Sequence, residues 1–148
     1  MTPRTFNTKI KIKPEEFKKV LDFVIDTKKN STITHQYPQL IEILKTILNT
    51  KGEINIDYAD LLEFVEHSHC ISYSTIKYKN SQIAQIDKHA TTLICHIKFP
   101  ANYSTSKLKV MLNYLCNNMN NNFQFNISSK LLSDEVIMHI LYGYARRE

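Results

Sequence analysis

Gly52-Glu53-Ile54-Asn55-Ile56-Asp57-Tyr58-Ala59-Asp60-Leu61 is the stretch that decides how this chain is read. Glycine ends the segment before it, and isoleucines alternating with polar residues lead to Asp57, whose short carboxylate can accept from the N–H groups of a helix first turn. A helix over residues 58–67 follows, with Leu61, Leu62 and Val65 as its buried side. Asp57 and Asp60 stand three residues apart at the mouth of that helix, where acids match the positive end of the dipole. Two carboxylates so placed can also project together and orient a water, as phosphoryl transfer requires. On these residues alone the capping role is the plainer one, and the chemical role stays open.

Upstream, Lys9-Ile10-Lys11-Ile12-Lys13 alternates like a half-buried strand, and Pro14-Glu15-Glu16 opens a helix with Phe17, Val20, Leu21 and Val24 on one face. Lys28 and Lys29 close that helix favourably for its dipole. A polar stretch over 30–35 leads to a second amphipathic helix near 37–49, whose stripe is Leu40, Ile43, Leu44, Ile47 and Leu48. Downstream, strands are expected over 70–78, 92–99, 123–129 and 135–144. Leu93, Cys95, Ile97 and Phe99 share one face of the second, and Phe123, Phe125 and Ile127 one face of the third. A helix over 105–118, capped by Ser104 or Thr105, buries Leu108, Met111, Leu112, Leu115 and Cys116. The asparagines between 117 and 122 suit the left-handed turn that must end it. The expected fold is α/β (α+β): a mixed sheet of about four strands on two or three helices in residues 36–148, with residues 1–35 adding a strand and a helix.

Composition narrows the function. With 148 residues, 43% of them hydrophobic, one core is the default, and no run reaches the roughly 20 apolar residues that cross a bilayer. The polar, lysine-bearing start is no signal peptide, so a cytoplasmic protein is expected. Cys70, Cys95 and Cys116 are odd in number, far apart and set in apolar segments, which suits buried, reduced thiols. The net charge of +5 is concentrated early: residues 1–29 hold eight Lys or Arg against four acids. Lysines on an edge strand discourage edge-to-edge pairing, and that reading is preferred to nucleic-acid binding. Only two glycines occur, so no glycine-rich phosphate cradle, P-loop or dinucleotide fingerprint fits. His67, His69 and Cys70 lack a second ligand pair at zinc-finger spacing and read as structural. His96 and His139 fall on the strand face opposite the main apolar set, as on a second packed face. No serine or cysteine has a histidine partner in a nucleophile setting.

The quoted stretch resembles the synergy loop of the bacterial tubulin homologue FtsZ: a glycine, an apolar pair around asparagine, then Asp-Phe-Ala-Asp-Val. A second block, Phe123-Gln124-Phe125-Asn126-Ile127 followed by Leu132-Ser133-Asp134-Glu135-Val136 and an apolar strand to Tyr144, is similar to the end of the same domain. The resemblance covers residues 36–146, with helix 37–49 in the place of the family's central helix. It implies a C-terminal domain without its GTPase domain, and without the family's flexible tail past Glu148. Residues 80–91 are too few for the helix the family carries there. In the family, loop acids of one subunit complete the GTPase site of the next. The resemblance therefore implies no nucleotide or other cofactor bound by this chain alone, no catalytic residues within it, and an in-trans role for Asn55, Asp57 and Asp60. Glu53, Tyr58 and Glu63 would join the partner contact. The partner implied is FtsZ or an FtsZ-like protein in cell division, whose filament assembly the chain would cap or modulate; the alternative is a stand-alone binding module that self-associates or sets its basic N-terminal element against an acidic partner or nucleic acid, with nucleic acid disfavoured and no membrane expected.

Overall fold

A computed structural model of the chain describes residues 9–26, 36–50, 55–79, 86–87, 89–101, 104–118, 122–127 and 135–145. The elements run β1 (Ile10–Ile12), α1 (Pro14–Ile25), α2 (Pro38–Asn49), α3 (Tyr58–Glu66), β2 (Cys70–Lys79), β3 (Thr92–Lys98), α4 (Thr105–Asn118), β4 (Asn122–Ile127) and β5 (Glu135–Tyr144). Strands and helices fall where the hydrophobic periods put them. Lys28, Lys29, the polar 30–35 stretch, Glu53 and the turn after α4 lie outside the described residues, as do the side chains of Leu115, Cys116, Phe123 and Ile127.

The five strands form one mixed sheet in the order β1-β2-β5-β3-β4. Four of them are the expected sheet, and β1 extends it by pairing antiparallel with β2, Ile12 opposite Ile71. β2 and β5 pair over ten residues, and β5 also pairs antiparallel with β3. β3 and β4 are parallel, so the chain must cross the sheet between them, and α4 is that crossover.

Period two along each strand divides the side chains between two faces. Ile71 and Tyr73 of β2, Ile94 of β3 and Leu141 of β5 face one way, into a core shared with Phe17, Val20 and Leu21 of α1, Leu40, Ile43, Leu44 and Ile47 of α2, and Leu61 and Phe64 of α3. Ile76, Leu93, Cys95, Ile97, Val136, Met138, Ile140 and Tyr142 face the other way, toward Met111 of α4. Pro14 at the first turn of α1, with Glu15 and Glu16 beside it, begins that helix in favourable geometry.

On α3 the buried stripe is turned from the expected one: Leu61 and Phe64 are buried, while Leu62 and Val65 are only partly so. The reason is tertiary. Phe17 of α1 offers its ring to Phe64 at 5.7 Å between centroids, tilted by 53°, an arrangement aromatic quadrupoles favour. A second correction concerns the cysteines. Cys95 is buried, and burial pushes its thiol pKa up, but Cys70 is exposed. It is the first residue of β2, at a corner of the sheet. Among the described residues no helix is long and apolar enough to cross a membrane.

Candidate functional site

Residues 55–57 lead the chain into α3. Ile56 is buried in the helix-side core, whereas Asn55 and Asp57 on either side of it are exposed. Asp57 caps α3: its Oδ1 accepts from the Asp60 N–H at 2.9 Å, and Asp60 Oδ2 accepts from the Asp57 N–H at 3.0 Å. This is a reciprocal capping box with aspartate in the position usually held by glutamate. Gln124 of β4 donates to the other oxygen, Asp60 Oδ1, at 3.4 Å. Among the described residues Asp57 Oδ2 has no hydrogen-bond partner. The two carboxylates therefore fix each other, and one oxygen of the pair takes no part in the capping.

Glu63, one turn on from Asp60, is exposed and extends this acidic edge along the helix. Tyr58 is half-buried at the start of the same helix. Its hydroxyl donates to Asp22 Oδ1 at 3.0 Å, and Asp22 also takes Lys18 Nζ at 2.9 and 3.0 Å. Tyr58 thus ties the start of α3 to α1. Glu53 lies outside the described residues.

The three candidate metal ligands are not assembled. His67 Nδ1 bonds the Glu63 carbonyl at 2.9 Å, the His69 N–H donates to the Tyr144 carbonyl at 2.8 Å, and the described residues hold no group of three or more metal-ligating side chains.

His96 and His139 do share the face opposite Leu93, Cys95 and Ile97, and they belong to something that spacing did not reveal. Strand register sets Thr75 opposite His139, His139 opposite His96, and His96 opposite Asn126. The four form a polar row across β2, β5, β3 and β4, on the face covered by the helices. Gln39 of α2 donates to Thr75 Oγ1 at 3.2 Å, and Thr75 Oγ1 stands 3.0 Å from His139 Nδ1. The His139 and His96 rings stack at 6.0 Å, 16° apart. His96 Nδ1 bonds Asn126 Oδ1, and Asn126 Nδ2 donates to the Ile47 carbonyl of α2 at 3.0 Å. Because Asn126 Nδ2 donates to Ile47, its Oδ1 is the acceptor, which assigns Nδ1–H to His96. Among the described residues the buried His96 Nε2 has no hydrogen-bond partner. Burial lowers the His96 pKa, the Asn126 bond only partly opposing it; burial, His96, Lys98 and Lys77 together lower that of His139 to about 4. Both rings are held neutral, and they bind α2 to the sheet near both of its ends.

A third cluster joins the first strand to the last. Asp87 accepts from Lys9 Nζ and, at 2.6 Å, from the Tyr144 hydroxyl. Burial alone would raise the Asp87 pKa, but these two bonds and the His89 N–H hold it at about 2. Lys9 Nζ also lies 5.7 Å from the ring centroids of both Tyr142 and Tyr144. Asp87→Asn should therefore loosen β1 first. The expected loss is about 1–2 kcal/mol at neutral pH, with amide exchange accelerated most at Ile10 and Lys11; protection unchanged at β1 would contradict this.

No protein-family profile matches the sequence, and no curated protein matches it either. Solved structures do. An FtsZ dimer from M. jannaschii superposes with a TM-score of 0.53 at 14% identity, over 83% of this chain and 42% of the FtsZ chain. The fold is FtsZ-like. The W319Y mutant of M. jannaschii FtsZ gives 0.52 at 12% identity, over 84% of this chain and 44% of the other. The chain thus spans less than half the length of the FtsZ chains it matches, in keeping with an FtsZ/tubulin-like C-terminal domain. Within this FtsZ-like fold the acidic loop stands at the mouth of α3, and the buried polar row locks α2 just ahead of it. The row left one trace in the sequence: a single asparagine and two histidines in strands otherwise apolar on alternate positions.

Proposed function

We propose that the chain is a non-enzymatic FtsZ-like protein that docks its acidic loop on the nucleotide face of an FtsZ-type subunit and so caps or modulates filament assembly. The carrying observation is the Asp57–Asp60 pair, fixed by mutual backbone bonds at the mouth of α3, with Asp57 exposed and Asp60 half-buried beside it. Asn55, Asp57 and Asp60 would lie nearest the nucleotide, and Glu63 would extend the contact along α3. The fold supports this reading because, in FtsZ, such a loop meets the nucleotide of the neighbouring subunit. A subunit that brings the loop without a nucleotide face of its own leaves nothing for the next to bind. A stable contact needs about 1,000 Å² or more of buried surface, so the flank of α3 must take part.

Binding to a full-length FtsZ from the same cell, followed by fluorescence anisotropy with GTP, tests the docking. Asp57→Asn with Asp60→Gln removes both charges while keeping acceptors for the capping box. The expected result is a loss of affinity of at least tenfold with little change in thermal midpoint. Equal affinity of the double variant and the parent would remove the proposed site.

A further inference from the structure

A cleft of about 970 Å³ opens at the corner of the sheet where β1 leaves for α1, lined by Lys9, Lys11, Lys13, His69, Ser72 and Tyr144, among others. We infer that it is a binding site for a small phosphorylated molecule with an apolar body. The lining carries three lysines against one carboxylate, Asp87. That carboxylate is already spent: Lys9 and the Tyr144 hydroxyl both bind it. Lys9 is in turn consumed by Asp87 and by the two tyrosine rings beneath it. Lys11 and Lys13 remain. Both are exposed, and among the described residues neither is paired with a carboxylate. As alternate residues about the strand end they project to one side of it, roughly 7 Å apart along the chain, which suits the oxygens of one or two phosphoryl groups.

The rest of the lining is not what a purely solvated lysine edge provides. Ile12, Pro14, Ile71 and Ala145 line the same cleft, and the Tyr144 ring is held in place by its bond to Asp87. A few polar groups over an apolar surface, in a space of this size, is the ordinary composition of a small-molecule site. His69 adds a second hydrogen-bonding group; its backbone is fixed by the Tyr144 carbonyl at 2.8 Å. The Ser72 hydroxyl stands opposite Lys11 in the strand register. Helix α1 also begins at this cleft with no side-chain cap on its N-terminus, so its dipole adds to the positive field without being its source.

Two-dimensional amide NMR of the full chain, titrated separately with inorganic phosphate, pyrophosphate and phenyl phosphate, tests the site. Saturable shifts at Lys11, Lys13, His69, Cys70 and Ser72 are expected, with phenyl phosphate at least fivefold tighter than inorganic phosphate because it has a body to place against Pro14 and the Tyr144 ring. Lys11→Gln with Lys13→Gln should weaken phenyl phosphate at least tenfold. The matched control Lys45→Gln with Lys109→Gln, two exposed lysines elsewhere, should leave its affinity within twofold. Shifts that fail to saturate, that spread over lysines across the surface, or that weaken equally in both double variants would overturn the proposal and leave Lys11 and Lys13 as edge protection only. Preference for inorganic phosphate over phenyl phosphate would overturn the apolar half of the ligand.

Discussion

Gly143→Ala should cost this protein about 3 kcal/mol and lower its thermal midpoint by roughly 6–12 °C. Gly143 lies in β5 on the helix-facing side, where an added methyl would stand 2.4 Å from Ser68 Oγ and 2.9 Å from a ring carbon of Phe64. Neither neighbour is free to withdraw. Ser68 is buried and donates to the Phe64 carbonyl at 2.6 Å, and the Phe64 ring, 2% exposed, is held against Phe17. The missing side chain is what lets α3 approach the sheet so closely, and α3 carries the acidic loop. Thermal unfolding of the variant measures the cost. Adding Ser68→Ala should restore part of it by removing the nearest atom; a midpoint within 2 °C of the parent for Gly143→Ala alone would show that α3 is not wedged there.

The second large effect is acid destabilisation through the polar row. His139 and His96 have lowered pKa values in the folded chain, about 4 for His139, against about 6.5 when unfolded. Between those values the unfolded chain binds a proton that the folded one does not. Stability is therefore flat above pH 6.5 and falls as pH drops toward 4, by up to about 1.4 kcal/mol per pH unit for His139, with His96 adding in the same direction. The order of the loss is 2–3 kcal/mol for His139, whose ring is only partly buried. Asp87 acts in a separate window: its lowered pKa stabilises the fold above about 3.8 and that contribution is lost as pH falls through about 2. Urea unfolding at a series of pH values resolves the two. His139→Asn keeps a hydrogen-bonding side chain beside Thr75 and should remove about one proton from the slope between pH 6.5 and 4, even though it is less stable at pH 7. An unchanged slope would mean that the row does not titrate on unfolding.

Much of the fold was legible because its signals are local. Alternation in β3 and β5, the apolar faces of α1 and α2, and Asp57 as a cap require only neighbours in sequence, and each element stands where its period placed it. Contacts set by strand register were not legible. Thr75, His139, His96 and Asn126 are separated by up to 64 residues, and only the pairing of β2, β5, β3 and β4 makes them a row. For the same reason Gln124 gave no sign of reaching Asp60, and Tyr58 no sign of reaching Asp22. The inward turn of Phe64 depended on Phe17, an aromatic partner 47 positions away, and the exposure of Cys70 on its place at a sheet corner. Lys11 and Lys13 read as edge protection in the sequence; the cleft beside them exists only once β1, α1 and the end of β5 are brought together.

The reading of the acidic loop also separates what local chemistry shows from what a partner must show. Asp57 and Asp60 satisfy each other's backbone, so each contributes about 1 kcal/mol to starting α3 whatever else it does. Their functional role rests on the one Asp57 oxygen that capping leaves over, since Gln124 takes the remaining oxygen of Asp60. Sedimentation of FtsZ filaments in GTP, with this chain added at one part to ten, tests that role most directly. Docking by the acidic loop at filament ends predicts a marked fall in pelleted FtsZ, abolished by Asp57→Asn with Asp60→Gln. Filament mass unchanged even at stoichiometric excess, or reduced equally by the double variant, would contradict it.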